Sequence, residues 1–359
     1  MLPKFRSSRY RRLINDAIHA VKLDLSGLTV LTEAATGYFV FTPLIAALAG
    51  ADLVLAFPRD SSYATRADVC EITESLASAC GVADRVVLLP SLADSRVAQA
   101  DIVTNSGFLR PLHADFLRRL KPTVAIPLMF ETWEFRSEDL DLAECRRLGI
   151  PILGTNEHCP ELRIFGYIGH IALKLLYELH FEVFRSRIAV LGSGDFGDTA
   201  EVTLRRAGAE VSRIIPVPHL DWHEAKRFLS EAEVVVVVEY HTRRMLLGPG
   251  GEIEVEALRA VNPDLAVAHI CGGVDRAALE AAGFCCWPER FAASGYMSVA
   301  TDYVGPRPLV DLQSGGLKVG ECMARARMRG LTGAEAEAAA LAETGLAQPF
   351  PKDLRVEGL

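Results

Sequence analysis

Long hydrophobic runs are missing from this chain of 359 residues. No window approaches the roughly 18 uninterrupted apolar residues of a helical membrane span. Val234–Val238 reads only as a buried strand. Basic charge is in deficit, and the net charge of −8 argues against nucleic acid as the main partner. The start carries Lys4, Arg6, Arg9, Arg11 and Arg12, but no apolar signal-peptide core follows, so a cytoplasmic protein is expected. The eight cysteines include no C-x-x-C pair, and the vicinal Cys285-Cys286 has no zinc spacing. Buried thiols in a reducing compartment are the expectation. No H-E-x-x-H occurs, and Pro216 and Pro218 make the stretch holding His219 and His223 a loop, so no metal is expected. Ser61 and Ser62 lack a G-x-S-x-G elbow, which disfavours a nucleophilic hydrolase.

What is present is a globular composition, 50% hydrophobic and 23% charged, in a chain too long for one ordinary core. Ile188 to Val211 organises it. The apolar run Ile188-Ala189-Val190-Leu191 leads into Gly192-x-Gly194-x-x-Gly197, an amphipathic stretch follows, and a second strand begins at Val211. Strand, glycine turn, helix and strand together point to a nucleotide site. Gly192 allows the tight turn, Gly194 lets backbone approach a pyrophosphate, and Gly197 lets helix and strand pack closely. The free N–H groups of the helix start face the anion.

Upstream, residues 9 to 22 space apolar side chains as an amphipathic helix. Strands are predicted over Leu28–Thr32, Leu53–Phe57, Arg85–Leu89, Asp101–Thr104, Thr123–Met129 and Ile150–Leu153. Helices are predicted over Thr42–Ala49, Arg66–Ala79 and His113–Leu120. Strands that alternate with helices and are continuously apolar predict parallel sheets covered on both faces. Phe165–Leu179 is a long apolar helix leading into the glycine-turn strand, and further strands start near Val234 and Leu265. Leu317–Met328 and Thr332–Ala342 read as helices, and the tail from Gln348 as surface. The predicted division is 1–160 with 310–359 as substrate domain, and 161–309 as nucleotide domain.

Asp139-Leu140-Asp141-Leu142, Arg147-Leu148-Gly149-Ile150-Pro151-Ile152 and Gly154-Thr155-Asn156 precede the long helix. This passage resembles one in the D-isomer-specific 2-hydroxyacid dehydrogenases. Gly192-Ser193-Gly194-Asp195-Phe196-Gly197 resembles the G-x-G-D-V-G turn of the S-adenosylhomocysteine hydrolases. A weaker likeness lies in Ala268-His269-Ile270-Cys271-Gly272-Gly273-Val274-Asp275. The resemblance covers about residues 120 to 282 and implies an α/β fold of two doubly wound, parallel-sheet (Rossmann-like) domains. The first would be flavodoxin-like or Rossmann-like, a long helix would join the two, and the C-terminal helices would return to the first domain. It also implies NAD or NADP as cofactor; a homodimer is expected besides. It transfers no catalytic set: the dehydrogenases' substrate arginine is replaced around Cys271, and the hydrolases' catalytic lysine run by Glu157-His158-Cys159-Pro160. Thr32-Glu33-Ala34-Ala35-Thr36-Gly37 faintly resembles a methyltransferase turn, but one glycine does not carry that reading.

Ligands bind beyond the carboxyl ends of parallel strands, so those loops hold the candidates. Glu131-x-x-Glu134-x-Arg136 sets two carboxylates near an arginine, a pattern that can yield one neutral acid and one ionised base; a structural ion-pair network is the alternative. His158, at the hinge, and His269, at a strand end, are candidate proton carriers, each against a structural alternative. Arg59, Asn105, Ser106, Arg110, Arg136, Asn156 and Glu157 are candidate substrate contacts, with Arg59 and Arg110 suited to clamp an anion. Gly192, Ser193, Gly194, Asp195, Phe196, Gly197, Tyr240, His241, Cys271 and Gly272 are expected around the cofactor, with Asp195 and Asp198 facing away or capping the helix. No acid ends the second strand, where Ile214-Ile215-Pro216-Val217 stands between Arg213 and Asp221. The reading is an NAD(P)-dependent dehydrogenase or reductase acting on a small polar, anionic metabolite in an interdomain cleft. The alternatives are a hydrolase or lyase that keeps its cofactor tightly bound and oxidises transiently, and a non-catalytic nucleotide-binding protein.

Overall fold

The computed structural model describes residues 7–351. They form two units, one ending at Arg163 and resuming at Pro306, the other running from Ile164 to Gly305.

In the first unit α1 (Ser7–Val21) buries the predicted stripe of Leu13, Ile14, Ala17, Ile18 and Val21. The chain then alternates through β1 (Thr29–Ala34), α2 (Phe41–Leu48), β2 (Leu53–Pro58), α3 (Arg66–Cys80), β3 (Val86–Leu88) and β4 (Ile102–Val103). It continues with α4 (Ala114–Leu117), β5 (Ile126–Pro127), α5 (Leu142–Leu148) and β6 (Ile152–Thr155). Local chemistry sets the helix ends: Thr65 and Asp68 form a reciprocal capping box at the start of α3, and Gly81 ends it in the left-handed conformation. The strands run β3-β2-β1-β4, a parallel bridge from Ile102 to Ala125 continues the sheet, and β5 pairs with β6. β5 is much shorter than the predicted Thr123–Met129. Pro127 has no N–H for a ladder, and Met129 adopts a left-handed φ of 69° that turns the chain out of the sheet.

The second unit begins with α6 (Gly166–Glu178), followed by β7 (Arg187–Leu191), α7 (Gly194–Arg206), β8 (Glu210–Ile214), α8 (Trp222–Glu231) and β9 (Val234–Val238). It closes with β10 (Met245–Leu247), α9 (Val255–Val261), β11 (Ala266–Cys271), β12 (Gly273–Val274), α10 (Arg276–Ala281) and β13 (Cys286–Trp287). The parallel sheet has the order β13-β11-β9-β7-β8. Ile188, Val190, Val234 and Val236 pack with residues of α6 and α7 on one face, while Ala189, Leu191, Val235 and Val237 pack with residues of α8 and α9 on the other. Burial on both faces is why the strands are continuously apolar.

The chain then returns to the first unit as α11 (Pro306–Met328), α12 (Gly333–Glu343) and β14 (Ala347–Gln348). α11 starts well before the predicted Leu317, because Pro306 and Pro308 lie in its first turn, where a missing N–H costs no helical hydrogen bond. The start of the tail is not free surface: β14 pairs antiparallel with β6, Ala347 opposite Thr155 and Gln348 opposite Gly154. Lys4 and Arg6 of the basic start lie outside the described residues. Among the described residues no helix is long and apolar enough to cross a membrane. The fold class is α/β, with parallel sheets flanked by helices in both units.

Candidate functional site

In the second unit the chain passes from β7 to β8 on one side and then to β9 on the other. The carboxyl ends of β7 and β9 therefore border the switch point, where open α/β sheets take ligands. The glycine turn lies there. Gly194 has φ +55°, a conformation that side-chain-bearing residues rarely adopt. A Cβ on Gly192 would collide with the Val238 carbonyl, one on Gly194 with the His241 imidazole, and one on Gly197 with the Arg213 guanidinium. Ser193 occupies the N-cap of α7, yet its side chain does not cap the helix. Its hydroxyl donates instead to Glu239 Oε2 at 2.5 Å. The Oε1 atom of this wholly buried Glu239 accepts the N–H groups of His241 at 2.6 Å and Thr242 at 3.2 Å. The helix start thus keeps its backbone donors for an anion.

Arg213 braces the turn, donating from Nε to the Gly192 carbonyl at 2.6 Å and pairing with Asp198 at 3.3 Å and Glu201 at 3.4 Å. Asp198 is held in this pair with Arg213, and Asp195 lies in the first turn of α7. Phe196 packs on Tyr240 with centroids 4.3 Å apart, and Tyr240 on His241 at 4.0 Å. Asp221 is taken up as the N-cap of α8.

His269 is fully buried, and both ring nitrogens have partners. Nε2 lies 3.0 Å from the Gly272 carbonyl, which can only accept, so Nε2 carries the hydrogen and Nδ1 faces Ser298 Oγ at 2.7 Å. Burial lowers its pKa to about 4. Burial thus favours its neutral form, with both nitrogens engaged inside the protein. Cys271 is buried, and desolvation followed by the Glu239 charge raises its pKa, the opposite of an activated thiol.

In the first unit Glu131, Glu134, Glu157 and His158 come together at the ends of β5 and β6. Glu131 is buried and collects donors. Its Oε1 accepts the Glu157 N–H at 3.1 Å and Gln348 Nε2 at 3.3 Å, and its Oε2 accepts Trp133 Nε1 at 2.6 Å. His158 Nε2 lies 3.8 Å from Glu131 Oε1 on a half-exposed side chain. Glu134 Oε1 accepts the Glu131 N–H at 3.3 Å. Desolvation first, then the Glu131 charge, raises the Glu134 pKa to about 7. Desolvation, Glu134 and Glu131 also push Glu157 well above the ordinary carboxylate range. The arrangement can store and release a proton near neutrality. Among the described residues, no group of His, Cys, Asp and Glu is arranged to hold a metal ion.

The substrate candidates are placed unequally. Asn156 ties the end of β6 to the segment before β14, its Nδ2 donating to the Gly345 carbonyl at 3.0 Å and its Oδ1 accepting the His158 N–H at 3.2 Å. Arg110 is largely spent: Nε and Nη2 donate to the Asn105 carbonyl, Nε also to Asn105 Oδ1, and Nη1 pairs with Asp139 at 3.2 Å. It positions Asn105 more than it offers a clamp. Arg136 is half-buried, and its charge acts on Glu134 and Arg110. Arg59 is exposed and lies over the Phe108 ring at 4.8 Å. Ser106 is buried in a hydroxyl chain with Thr104 and Thr32, at 2.5 Å and 2.9 Å.

Sequence reasoning missed Glu33, Glu239, Arg213 and Gln348 as site residues. Glu33 and Glu239 could have been found by the strand-end rule applied to Thr29–Ala34 and Val234–Val238. Gln348 had no local signal, because an antiparallel strand from the end of the chain delivers it.

No family model matches the sequence. No curated protein matches it either. Solved structures do resemble it. A dipicolinate synthase polypeptide of Bacillus halodurans aligns with a TM-score of 0.55 at 10% identity, over 81% of this chain and 96% of that one. Its counterpart in the dipicolinate synthase of Bacillus subtilis aligns with a TM-score of 0.54 at 12% identity, over 86% of this chain and 99% of that one. At these identities the likeness is one of architecture: this chain has the two-unit, Rossmann-like α/β fold that it shares with these dipicolinate synthase polypeptides.

Proposed function

We propose that the protein is an NAD(P)-dependent oxidoreductase acting on a small, polar, anionic metabolite. The observation that carries this reading is the glycine turn at the β7/β9 switch point, where three glycines admit no side chain and α7 starts without a side-chain cap. Those groups suit a pyrophosphate. Ser193 and Glu239 hold the turn from below, Arg213 braces its flank, and Tyr240 and His241 border it.

A bound nicotinamide supplies a hydride acceptor or donor. The residues of the first unit handle the accompanying proton. For reduction of a carbonyl, Glu134 carries a proton at neutral pH and gives it to the substrate oxygen as the carbon gains hydride. Half-exposed His158 lies between Glu131 and solvent, and Glu131, fixed by its donors, orients the group. Arg59 and Arg136 hold the anion, with Asn105, Ser106, Asn156 and Glu157 shaping its surroundings and Arg110 fixing Asn105.

Native mass spectrometry, on protein as purified and after addition of NADH or NADPH, tests the assignment. One dinucleotide per chain is expected with at least one of the two. No mass increment with either contradicts the reading.

A further inference from the structure

The first unit has its own switch point. Its chain runs from β1 outward to β2 and β3, then crosses to β4 on the other side of β1, so the carboxyl ends of β1 and β4 border a crevice. Leu31 pairs with Val103 across these parallel strands. Two residues further on, Glu33 and Asn105 fall at the same level and on the same face. The intervening pair confirms the register, since Thr104 Oγ1 donates to Thr32 Oγ1 at 2.9 Å.

Both side chains are buried, and Asn105 is not satisfied as an internal group should be. Glu33 is 4% exposed, and its Oε2 accepts the Phe108 N–H at 2.8 Å. The cations acting on it are Arg110, already engaged by Asn105 and Asp139, and exposed Arg59. Desolvation outweighs these and raises its pKa. Asn105 has no exposed surface, and its Nδ2 has no hydrogen-bond partner. An amide flip does not remove this defect, because Arg110 Nε donates to Oδ1 at 3.0 Å and would then face another donor. An unmet buried donor costs about 1–3 kcal/mol, so its retention points to an acceptor that arrives from outside the chain.

We infer that this crevice binds the α-amino carboxylate of an amino acid, with the ammonium on Glu33 and the carboxylate between Asn105 Nδ2 and Arg59. A 2-hydroxy or 2-oxo acid satisfies Asn105 and Arg59 equally but brings the buried Glu33 no cation beyond Arg110 and Arg59, which already act on it. The inference rests on the oxidoreductase reading only in taking the first unit as the substrate side, and it names the substrate class there.

The test is calorimetric titration of the full chain, with and without saturating NADH. The probes are the proteinogenic amino acids in both enantiomers and their 2-hydroxy and 2-oxo analogues. At least one amino acid is expected to bind roughly tenfold or more tightly than its analogues, a difference of about 1.4 kcal/mol. Glu33→Gln, which keeps an acceptor for the Phe108 N–H, is expected to erase that preference while analogue binding persists. Asn105→Ala is expected to weaken both classes, with melting curves verifying that each variant folds. Equal or tighter binding of the analogues, a preference that survives Glu33→Gln, or no binding of any probe overturns the inference. NADH titrated into the same samples reports on the cofactor separately, so failure here is distinguishable from failure of the oxidoreductase reading.

Discussion

At the proposed dinucleotide site beyond β7 and β9 the groups offered to a ligand belong to the main chain, and side chains serve mainly to hold that main chain in place. Ser193 and Glu239 tie the turn down, and Arg213 reaches its carbonyl from the flank. At the strand ends of the first unit the arrangement is reversed. Glu33, Asn105, Glu131, Glu134 and Glu157 project from short strands and irregular loops, and their chemistry depends on burial and on one another. A backbone site needs little beyond glycines and a helix start, so it recognises a feature common to many ligands, a pyrophosphate. A side-chain site can discriminate among substrates, at the cost of buried charges and unmet donors that a substrate must satisfy.

The comparison predicts where damage falls. The largest effect is expected for Glu134→Gln, which removes the proton and keeps the shape. Turnover should fall roughly 100-fold or more, with dinucleotide affinity unchanged. Steady-state kinetics beside calorimetry would show it, and a variant that loses both equally would merge the two regions into one. Ser193→Ala tests the opposite side: releasing the turn from Glu239 should weaken dinucleotide binding roughly tenfold, about 1.4 kcal/mol, with little effect on amino acid binding.

A pH profile should separate the regions further. In the reduction direction turnover should decline as pH rises through about 7, the value to which burial and the Glu131 charge lift Glu134. Dinucleotide affinity should not follow it. The same shift bears on stability, because the folded state holds this proton up to about 7 while the unfolded chain releases it near 4.5. Native protein therefore loses stability as pH rises between these values, on the order of 3 kcal/mol in all, and at pH 8 Glu134→Gln should melt at higher temperature than the parent. An unchanged melting difference between pH 5 and pH 8 would remove Glu134 as the neutral acid. The smallest effect on turnover is expected for His269→Phe, which costs stability through its lost hydrogen bonds to Ser298 and Gly272. A collapse of turnover at full folding would return His269 to the chemistry.

The same contrast explains what could be read in the sequence. The glycine turn announces itself locally, since Gly192, Gly194 and Gly197 do their work within one strand-turn-helix unit. The parallel sheets were visible because two buried faces leave continuously apolar strands. Clustering of Glu131, Glu134 and Glu157 was only half visible: the spacing placed two carboxylates together, but Glu157 reaches them from another strand end, and Gln348, which donates to Glu131, is delivered by the β14 pairing. Long-range pairing has no signature in local periodicity, and Gln348 was read as part of a surface tail. His269 is the converse case: a histidine at a strand end stands out as a candidate proton carrier, while the partners of its two nitrogens, Ser298 and Gly272, have no signature in the local sequence.

The central claim is that the turn at β7/β9 binds a dinucleotide through its backbone, and calorimetric titration of NADH and NADPH into the parent protein and Gly194→Val tests it most directly. The valine requires a φ of +55° and a Cβ in the space of the His241 ring. Binding by the parent and a loss of roughly 100-fold, about 3 kcal/mol, in a variant that still melts cooperatively are predicted. Undiminished binding by the variant, or none by the parent, would contradict the claim.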